Sequence, residues 1–518
     1  MEFEMTTQEE FDQLLAGMTA ERAERIAEQM ARLIAEGTAD ERVSGTWPPR
    51  AAVALLTALT LHPDQVIAER ATGILFREGI EPINDSFAAG SEEVYRRLFA
   101  QVISAWRLHP EGRFLDESLC RFSLPTEQHL VARHAGLARQ PAPSKDEGSI
   151  VRKVLFLSRV TIGADVAITS ALMAGVRNAL PDAERVLLGA ARLGELYGQE
   201  RGLRIRPIDY PRGGSLLARL RSWPVTLDAV AEEMAGADPG EVWVIDPDSR
   251  LTQLGLLPLV GSDRGYYHFP SRATIVAGQS AHGQSLGHLA AHWIHNLLCQ
   301  ASTREATTIA SEEGVPHQIL PYLAVPTHWL EMGAAIADWL RSDPTRPSAN
   351  LTTVSLGVGG NTKKRLPTEY ETAILRQLSA RGPVVLDTGG STEERAAVEA
   401  VVAPLRAEGW EIAQAGQEGD LANLLRSSLR PTVLLWEGGI GSLAGLIAAS
   451  DRYLGYDSSG QHLAAALGTP GWTLFLSDNP TAFADRWHPT GRGSATLLFA
   501  SPTPPLASLL ADLASLGD

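Results

Sequence analysis

Three loops of this 518-residue chain combine glycine with side chains that can move a proton or hold an anion. In TIGADVAITS, Thr161 to Ser170, Gly163 permits a tight backbone path and Asp165 follows it. A carboxylate at the opening of a helix that faces a cleft can accept a proton from an attacking hydroxyl; the same residue can instead cap the helix by accepting from its free N–H groups. In LGVGGNTKKRLPTEYE, Leu356 to Glu371, glycines lead to Asn361 and Thr362, to the cations Lys363, Lys364 and Arg365, and to Pro367 at a helix start. Such a loop suits a diphosphate whose charge grows as a bond to it breaks, although a solvated basic loop has the same composition. In RYLGYDSSGQHLAAALGTP, Arg452 to Pro470, Asp457 precedes Ser458, Ser459 and Gly460, and His462 follows. Small residues let a phosphate approach a helix N-terminus, where unpaired N–H groups favour anions; His462 either adds a donor or sits as a satisfied first-turn histidine.

Each loop follows a short apolar run and precedes a helical pattern. KVLFLSR, RVLLGA, LRIRPIDY and EVWVIDP recur through residues 150–343, and NLTTVSLGVGG, GPVVLDTGG, GWEIAQA, PTVLLWEGG, RYLGYD and GWTLFLS through residues 348–518. Alternation of this kind predicts parallel sheets with crossover helices. The expected fold class is α/β, with two Rossmann-like domains facing a cleft where ligands gather at the carboxyl ends of strands. The turn from Asp343-Pro344 to Pro347 is the expected hinge. Upstream, residues 1–145 carry apolar residues at three- and four-residue spacing and predict an all-α domain. Its TWPPR and ISAWRLHP segments offer aromatic contacts to an acceptor or a second copy, and QPAPSKDEGS, Gln140 to Ser149, reads as a linker.

Two further patterns point elsewhere. Gly439-Ile440-Gly441-Ser442-Leu443-Ala444 follows a strand and opens a helix, with Asp457 ending the next strand, which imitates a dinucleotide fingerprint and keeps an NAD-dependent oxidoreductase in view. Such fingerprints usually open their domain, whereas this one lies late. His288, His292 and His295 in GHLAAHWIHNLL share a helix face at a spacing that can bind zinc. Without the glutamate of H-E-x-x-H, a stripe facing solvent or an acceptor is the stronger expectation. In DPDSR, Asp248 and Arg250 meet an acceptor or form a structural pair.

Composition narrows the function classes. A net charge of −16 disfavours a broad nucleic-acid footprint or polybasic membrane attachment. The 44% hydrophobic and 20% charged content is that of a globular chain, long enough for about three cores. Only Cys120 and Cys299 occur, with no CxxC partner, so neither a disulfide framework nor a thiolate zinc site is indicated, and a cytoplasmic setting is expected. The acidic start MEFEMTTQEEFDQ lacks the features of a secretory signal. The longest apolar stretch, Val154 to Val176, is broken by Arg159 and Asp165, so no transmembrane segment is expected.

From Val151 to the C-terminus the chain resembles the heptosyltransferase family, glycosyltransferase family nine. KVLFLSRVTIGADVAITSAL resembles the family's first strand and Gly-Asp motif, with Ala164 placed between Gly163 and Asp165; DSSGQH resembles its Asp-Ser/Thr-Gly motif, with Gly460 one position late and the Asp-to-His spacing kept. The resemblance implies a GT-B type fold and inverting, metal-independent transfer of a sugar from an ADP-sugar, ADP-heptose by preference, to an acceptor hydroxyl or amine. It places the catalytic carboxylate on Asp165. It places donor contacts on Gly359, Asn361, Lys364, Glu393 (in TGGSTEER), Gly441, Asp457, Ser458, Ser459, Gly460 and His462. No cofactor is implied. The acceptor is left open among lipopolysaccharide core, a protein and a small-molecule natural product, as is homo-oligomerisation. The altered motif registers also keep open a catalytically inactive relative acting as a scaffold.

Overall fold

The computed structural model describes residues 18–37, 47–211, 213–238, 240–299, 319–343, 350–359, 364–416, 421–428, 430–476, 481–501 and 504–515. It contains two parallel sheets, each wound in both directions from its middle. The first comprises β1 (Lys153–Leu157), β2 (Glu184–Gly189), β3 (Leu203–Pro207), β4 (Val242–Asp246) and β5 (Tyr266–His268), in the order β3-β2-β1-β4-β5. A short antiparallel hairpin, β6 (Ile275–Val276) with β7 (Gln279–Ser280), follows. The second sheet comprises β8 (Thr352–Ser355), β9 (Val384–Asp387), β10 (Ile412–Gly416), β11 (Val433–Glu437), β12 (Arg452–Tyr456), β13 (Gly471–Leu476) and β14 (Ala495–Ala500), in the order β10-β11-β9-β8-β12-β13-β14. The expected α/β class, two Rossmann-like sheets preceded by helices, is the architecture observed.

Strand burial follows from the period-two alternation of side chains. On one face of the first sheet, Val154, Phe156, Leu187, Trp243 and Ile245 pack under the helices Ser170–Ala179 and Leu286–Leu298. On the other face, Leu155, Leu157, Val186, Leu188, Val242, Val244 and Tyr266 share one continuous core with Ile34, Leu56, Ile74, Leu98, Phe99, Ile103 and Leu137. The N-terminal helices are therefore the covering layer of this sheet and not a tethered appendage. Bridging contacts reinforce the junction: Thr72 Oγ1 accepts from the Leu216 N–H at 3.2 Å, and Arg133 donates to the Gly255 carbonyl at 2.8 Å and to Asp263 at 2.6 Å. Residues 145–149 of the expected linker form a short helix with a Ser144–Glu147 capping box.

The helix Thr327–Arg341, expected within the first domain, packs instead on the second sheet. Its Ile336, Ala337, Trp339 and Leu340 share a core with Val385, Leu434, Trp436 and Leu446. Close approach to the helix Ile440–Ala449 depends on two glycines: a Cβ at Gly333 would overlap the Gly445 carbonyl, and one at Gly445 the Trp329 carbonyl. The proposed hinge residues 344–347 lie outside the described residues. No helix among the described residues is long and apolar enough to cross a membrane.

Two outcomes follow from this packing. Gly445→Val pushes the two helices apart and should cost about 1–3 kcal/mol in denaturant unfolding; unchanged stability would contradict the close crossing. Removing residues 1–149 strips the apolar face of the first sheet, so the remaining chain should aggregate on expression; a soluble, cooperatively unfolding product would show that the helical layer is dispensable to the fold.

Candidate active site at the junction of the two sheets

In each sheet the crevice opens where neighbouring strands lead off in opposite directions. In the first sheet that point lies between β1 and β4, which pair directly. In the second it lies between β8 and β12. The loops that leave β1, β8 and β12 carry the polar motifs, so topology brings them to one place.

Asp165 begins a π-helical turn, Asp165–Thr169, between the short turn Ile162–Ala164 and the helix Ser170–Ala179. Ala164, which separates Gly163 from Asp165, closes the short turn that precedes it. The carboxylate is buried and accepts three hydrogen bonds: from Ser158 Oγ at 2.6 Å, from the Arg159 N–H at 2.7 Å and from Thr169 Oγ1 at 2.9 Å. None of these donors is an N–H of the helix that follows, so the capping alternative is not what this side chain does. Burial pushes its pKa up to about 6, opposed by those donors and by the Arg159 guanidinium. It lines a cavity of about 60 Å³ with Ser158, Val160, Arg192, Ile208 and Tyr210, a space for a hydroxyl-sized group.

Across the cleft, Lys364 Nζ meets Asp457 Oδ2 at 2.7 Å and lies 4.8 Å from the centre of the Phe483 ring. Lys364 is held by its neighbours: Arg365 grips buried Glu371 with two bonds of 2.7 and 2.6 Å, Tyr456 donates to the same carboxylate at 2.6 Å, and the Leu366 N–H donates to the Tyr456 hydroxyl at 3.0 Å. Gln461 Nε2 donates to the second Asp457 oxygen at 2.7 Å. Ser458 is the N-cap of the helix Ser459–Leu467 without a side-chain cap bond. Gly460 is a packing requirement, since a Cβ there would overlap the Tyr453 hydroxyl. His462 is buried and its pKa is pushed down to about 4 by that burial, so its ring is neutral at pH 7; its Nδ1 finds no hydrogen-bond partner among the described residues.

The first-sheet loop touches this helix directly. A Cβ on Gly163 would lie 3.3 Å from Ser459 Cα and from His462 Cδ2, so glycine eases the close approach of the two loops. Ser285 and Thr490 hydroxyls meet at 2.7 Å beside the contact. The structure thus brings together Asp165, Lys364, Asp457, Ser458, Ser459, Gly460 and His462.

Other expected contacts fall elsewhere. Asn361 lies outside the described residues, and Gly359 is exposed at φ 61°. Glu393 is exposed on the first turn of the helix Thr392–Ala407, whereas its neighbour Glu394 turns inward and accepts from the Gly390 and Ser391 N–H groups at 3.0 and 3.1 Å. The Ser-x-x-Glu spacing of a capping box marks Glu394 for that role. Gly441 is corrected as an open donor contact: it is buried, and its N–H donates to Glu195 of the first sheet at 2.8 Å. That carboxylate stands where a dinucleotide fingerprint would place its pyrophosphate, which also counts against the oxidoreductase alternative.

Asp248 does not pair with Arg250. It bonds Arg272 and lies 3.5 Å from His268 and 3.8 Å from Arg159. Burial opposes its ionisation, yet these cations hold the carboxyl well below the usual range. Of the three histidines, His292 is buried with Nε2 at 2.9 Å from Asn296, which corrects a stripe facing solvent throughout. Among the described residues no group of three His, Cys, Asp or Glu side chains is placed to hold a metal ion.

For Asp165 to serve as the base of the transfer proposed below it must be ionised, so under that role catalysis should fall as pH drops through about 6 and be lost in Asp165→Asn by a factor of about 100 or more. Because burial penalises the charged form, Asp165→Asn should unfold at pH 8 no more easily than the unmodified chain. A pH–rate profile flat to pH 4.5, or an active Asp165→Asn protein, would contradict the role.

No family model and no curated protein matches the chain. Among solved structures it is similar to the glycosyl transferase family 9 from Veillonella parvula DSM 2008, at 15% identity over 71% of this chain and 89% of that one, with a TM-score of 0.44. It is also similar to E. coli ADP-heptose lps heptosyltransferase II, at 15% identity over 70% of this chain and 98% of that one, TM-score 0.42. A third is E. coli heptosyltransferase WaaC with ADP, at 14% identity over 70% and 98% of the two chains, TM-score 0.41.

Proposed function

We propose that this cleft transfers a sugar from a nucleoside diphosphate donor, ADP-heptose in its narrower form, to an acceptor hydroxyl or amine. The observation that carries the reading is that the loop bearing Asp165 lies, at Gly163, against the N-terminus of the helix Ser459–Leu467, and that Asp457, just before that helix, holds Lys364. A base, a cation and a set of helix N–H groups are what displacement at an anomeric carbon needs. Asp165 takes the proton of the acceptor as its oxygen or nitrogen attacks; the bond from the anomeric carbon to the diphosphate oxygen breaks; Lys364 and the helix N–H groups hold the charge that collects on the departing diphosphate. A single displacement from the face opposite the leaving group inverts the anomeric centre.

Asp457 acts in this scheme as the partner that keeps Lys364 aimed into the crevice before a donor arrives. Neutral His462, with its unpartnered Nδ1, supplies a hydrogen bond without adding charge. Because Gly163 rests on Ser459 in this conformation, donor entry requires the two sheets to part, and closure over the donor excludes water from the transfer. The cation in the scheme is Lys364.

Calorimetric titration with ADP, ADP-heptose, UDP-glucose and NAD checks the reading. The adenosine diphosphates should bind, and Lys364→Ala should weaken them about tenfold or more, the worth of a hydrogen bond to a charged group. Binding of NAD alone would favour the oxidoreductase, and binding with no ADP release in the presence of any acceptor pool would favour the scaffold.

A further inference from the structure

Arg486 ends the helix Thr481–Arg486, which comes after β13 in the second unit, and it sits where all three parts of the molecule meet. Its Nη2 donates to the Ala273 carbonyl of the first unit at 3.1 Å. Its guanidinium lies 5.2 Å from the centre of the ring of Phe87, the residue that follows the helix Glu81–Ser86 of the N-terminal layer. The same stretch borders the crevice: Phe483, 6.4 Å from Phe87, carries Lys364 at 4.8 Å, and the ring of Trp487 lies 5.9 Å from that of His462.

This arginine is only 5% exposed, yet it has no carboxylate within ion-pair reach among the described residues. Its Nη1 is buried and makes no hydrogen bond to any of them. The fold treats two other arginines of comparable burial differently: Arg159, 8% exposed, has Asp248 at 3.8 Å, and Arg185, 3% exposed, has Glu200 at 3.3 Å. Taking a guanidinium out of water is costly unless an opposite charge replaces the lost hydration, and a ring face with one carbonyl replaces only part of it. Burial pushes the pKa of Arg486 down, and no neighbouring charge acts against it. A guanidinium keeps its proton at any ordinary pH, so the position calls for an anion that the described residues do not supply.

We propose that Arg486 anchors an anion site at this junction, one that takes a phosphate group from solution or from a molecule bound in the crevice. The inference uses the parting of the two sheets described above and not the identity of the donor. When the sheets part, Nη2 leaves the Ala273 carbonyl, and both terminal nitrogens of the guanidinium can grip one phosphate through parallel N–H bonds. Closure without an anion returns an unpaired charge to the interior. Closure over a phosphate does not, so a bound phosphate favours the closed form. Arg486 thus couples phosphate binding to the meeting of the three parts.

Thermal unfolding of the full chain at constant ionic strength, with chloride replaced by inorganic phosphate, tests the site without any reaction. Phosphate stabilises proteins generally through its exclusion from their surfaces, so the readout is a difference between variants, with Lys364→Ala as the background that removes the cation of the diphosphate scheme. The rise in unfolding temperature should be larger for Lys364→Ala than for Lys364→Ala combined with Arg486→Met. Arg486→Lys in the same background keeps the charge and should keep part of the difference, which separates a lost anion from a damaged fold. In chloride, Arg486→Met should be at least as stable as the unmodified chain, since an unpaired buried charge gives way to an apolar side chain. Calorimetry with ADP identifies the source. An affinity lowered about tenfold or more in Arg486→Met assigns the site to the nucleotide's own diphosphate, and an unchanged affinity beside a clear phosphate difference assigns it to free phosphate. Equal rises with and without Arg486 together with unchanged ADP affinity would overturn the site, as would an Arg486→Met chain that is less stable in chloride. An unmodified chain that binds no ADP would count against the nucleotide-sugar reading and leave the phosphate comparison standing.

Discussion

Lys364 and Asp457 are 93 residues apart in the chain and 2.7 Å apart in space because β8 and β12 are hydrogen-bonded neighbours. The sheet leaves its middle in both directions at that pairing, so the loops after the two strands have nothing between them but the crevice. The first sheet repeats the arrangement at β1 and β4, and there the Asp165 loop is fixed by its own hydrogen bonds to Ser158, Arg159 and Thr169. Each half alone is an ordinary doubly wound sheet. The two halves meet where the Asp165 loop lies, at Gly163, against the N-terminus of the helix Ser459–Leu467.

The two halves are also joined through apolar contacts. Leu443, Ile447, Tyr453 and Leu463 of the second unit belong to the core that contains Val154, Phe156 and Ile245 of the first. Polar contacts such as Glu195 with Gly441 and Ser285 with Thr490 rim this interface. The helical layer extends the same logic to a third unit: its core merges with the outer face of the first sheet, and its Phe87 reaches Phe483 of the second. A buried ionic cluster of Asp248, Arg272, Arg159 and His268 sits beside that junction, adjoining Glu92 and His134 of the helices. Groups so enclosed cannot be exposed one at a time without leaving charges unpaired, which ties the placement of the helices to that of the cleft.

Much of this was legible in the sequence because it is local. Runs such as KVLFL and VWVID have the apolar density of strands buried on both faces, and all ten of the runs read as strands contain one. The three-residue β5 and the late β14 escaped because neither has a turn signal and a crossover pattern on both sides. The Asp165, Lys364 and Asp457 loops were found by position after a strand. What the sequence could not disclose is long-range: that Glu195 occupies the helix end at Gly441 and that Thr327–Arg341 packs on the second sheet.

The central claim is that the diphosphate of a nucleotide lies between Lys364 and the first turn of the helix Ser459–Leu467. A crystal structure of the protein co-crystallised with ADP tests it most directly. The account requires density for the diphosphate within hydrogen-bond reach of Lys364 Nζ and the N–H groups of Ser459 and Gly460, with Asp457 sharing or releasing its hold on the lysine. Density for the nucleotide at Gly439 to Ala444, with Glu195 displaced, would contradict it.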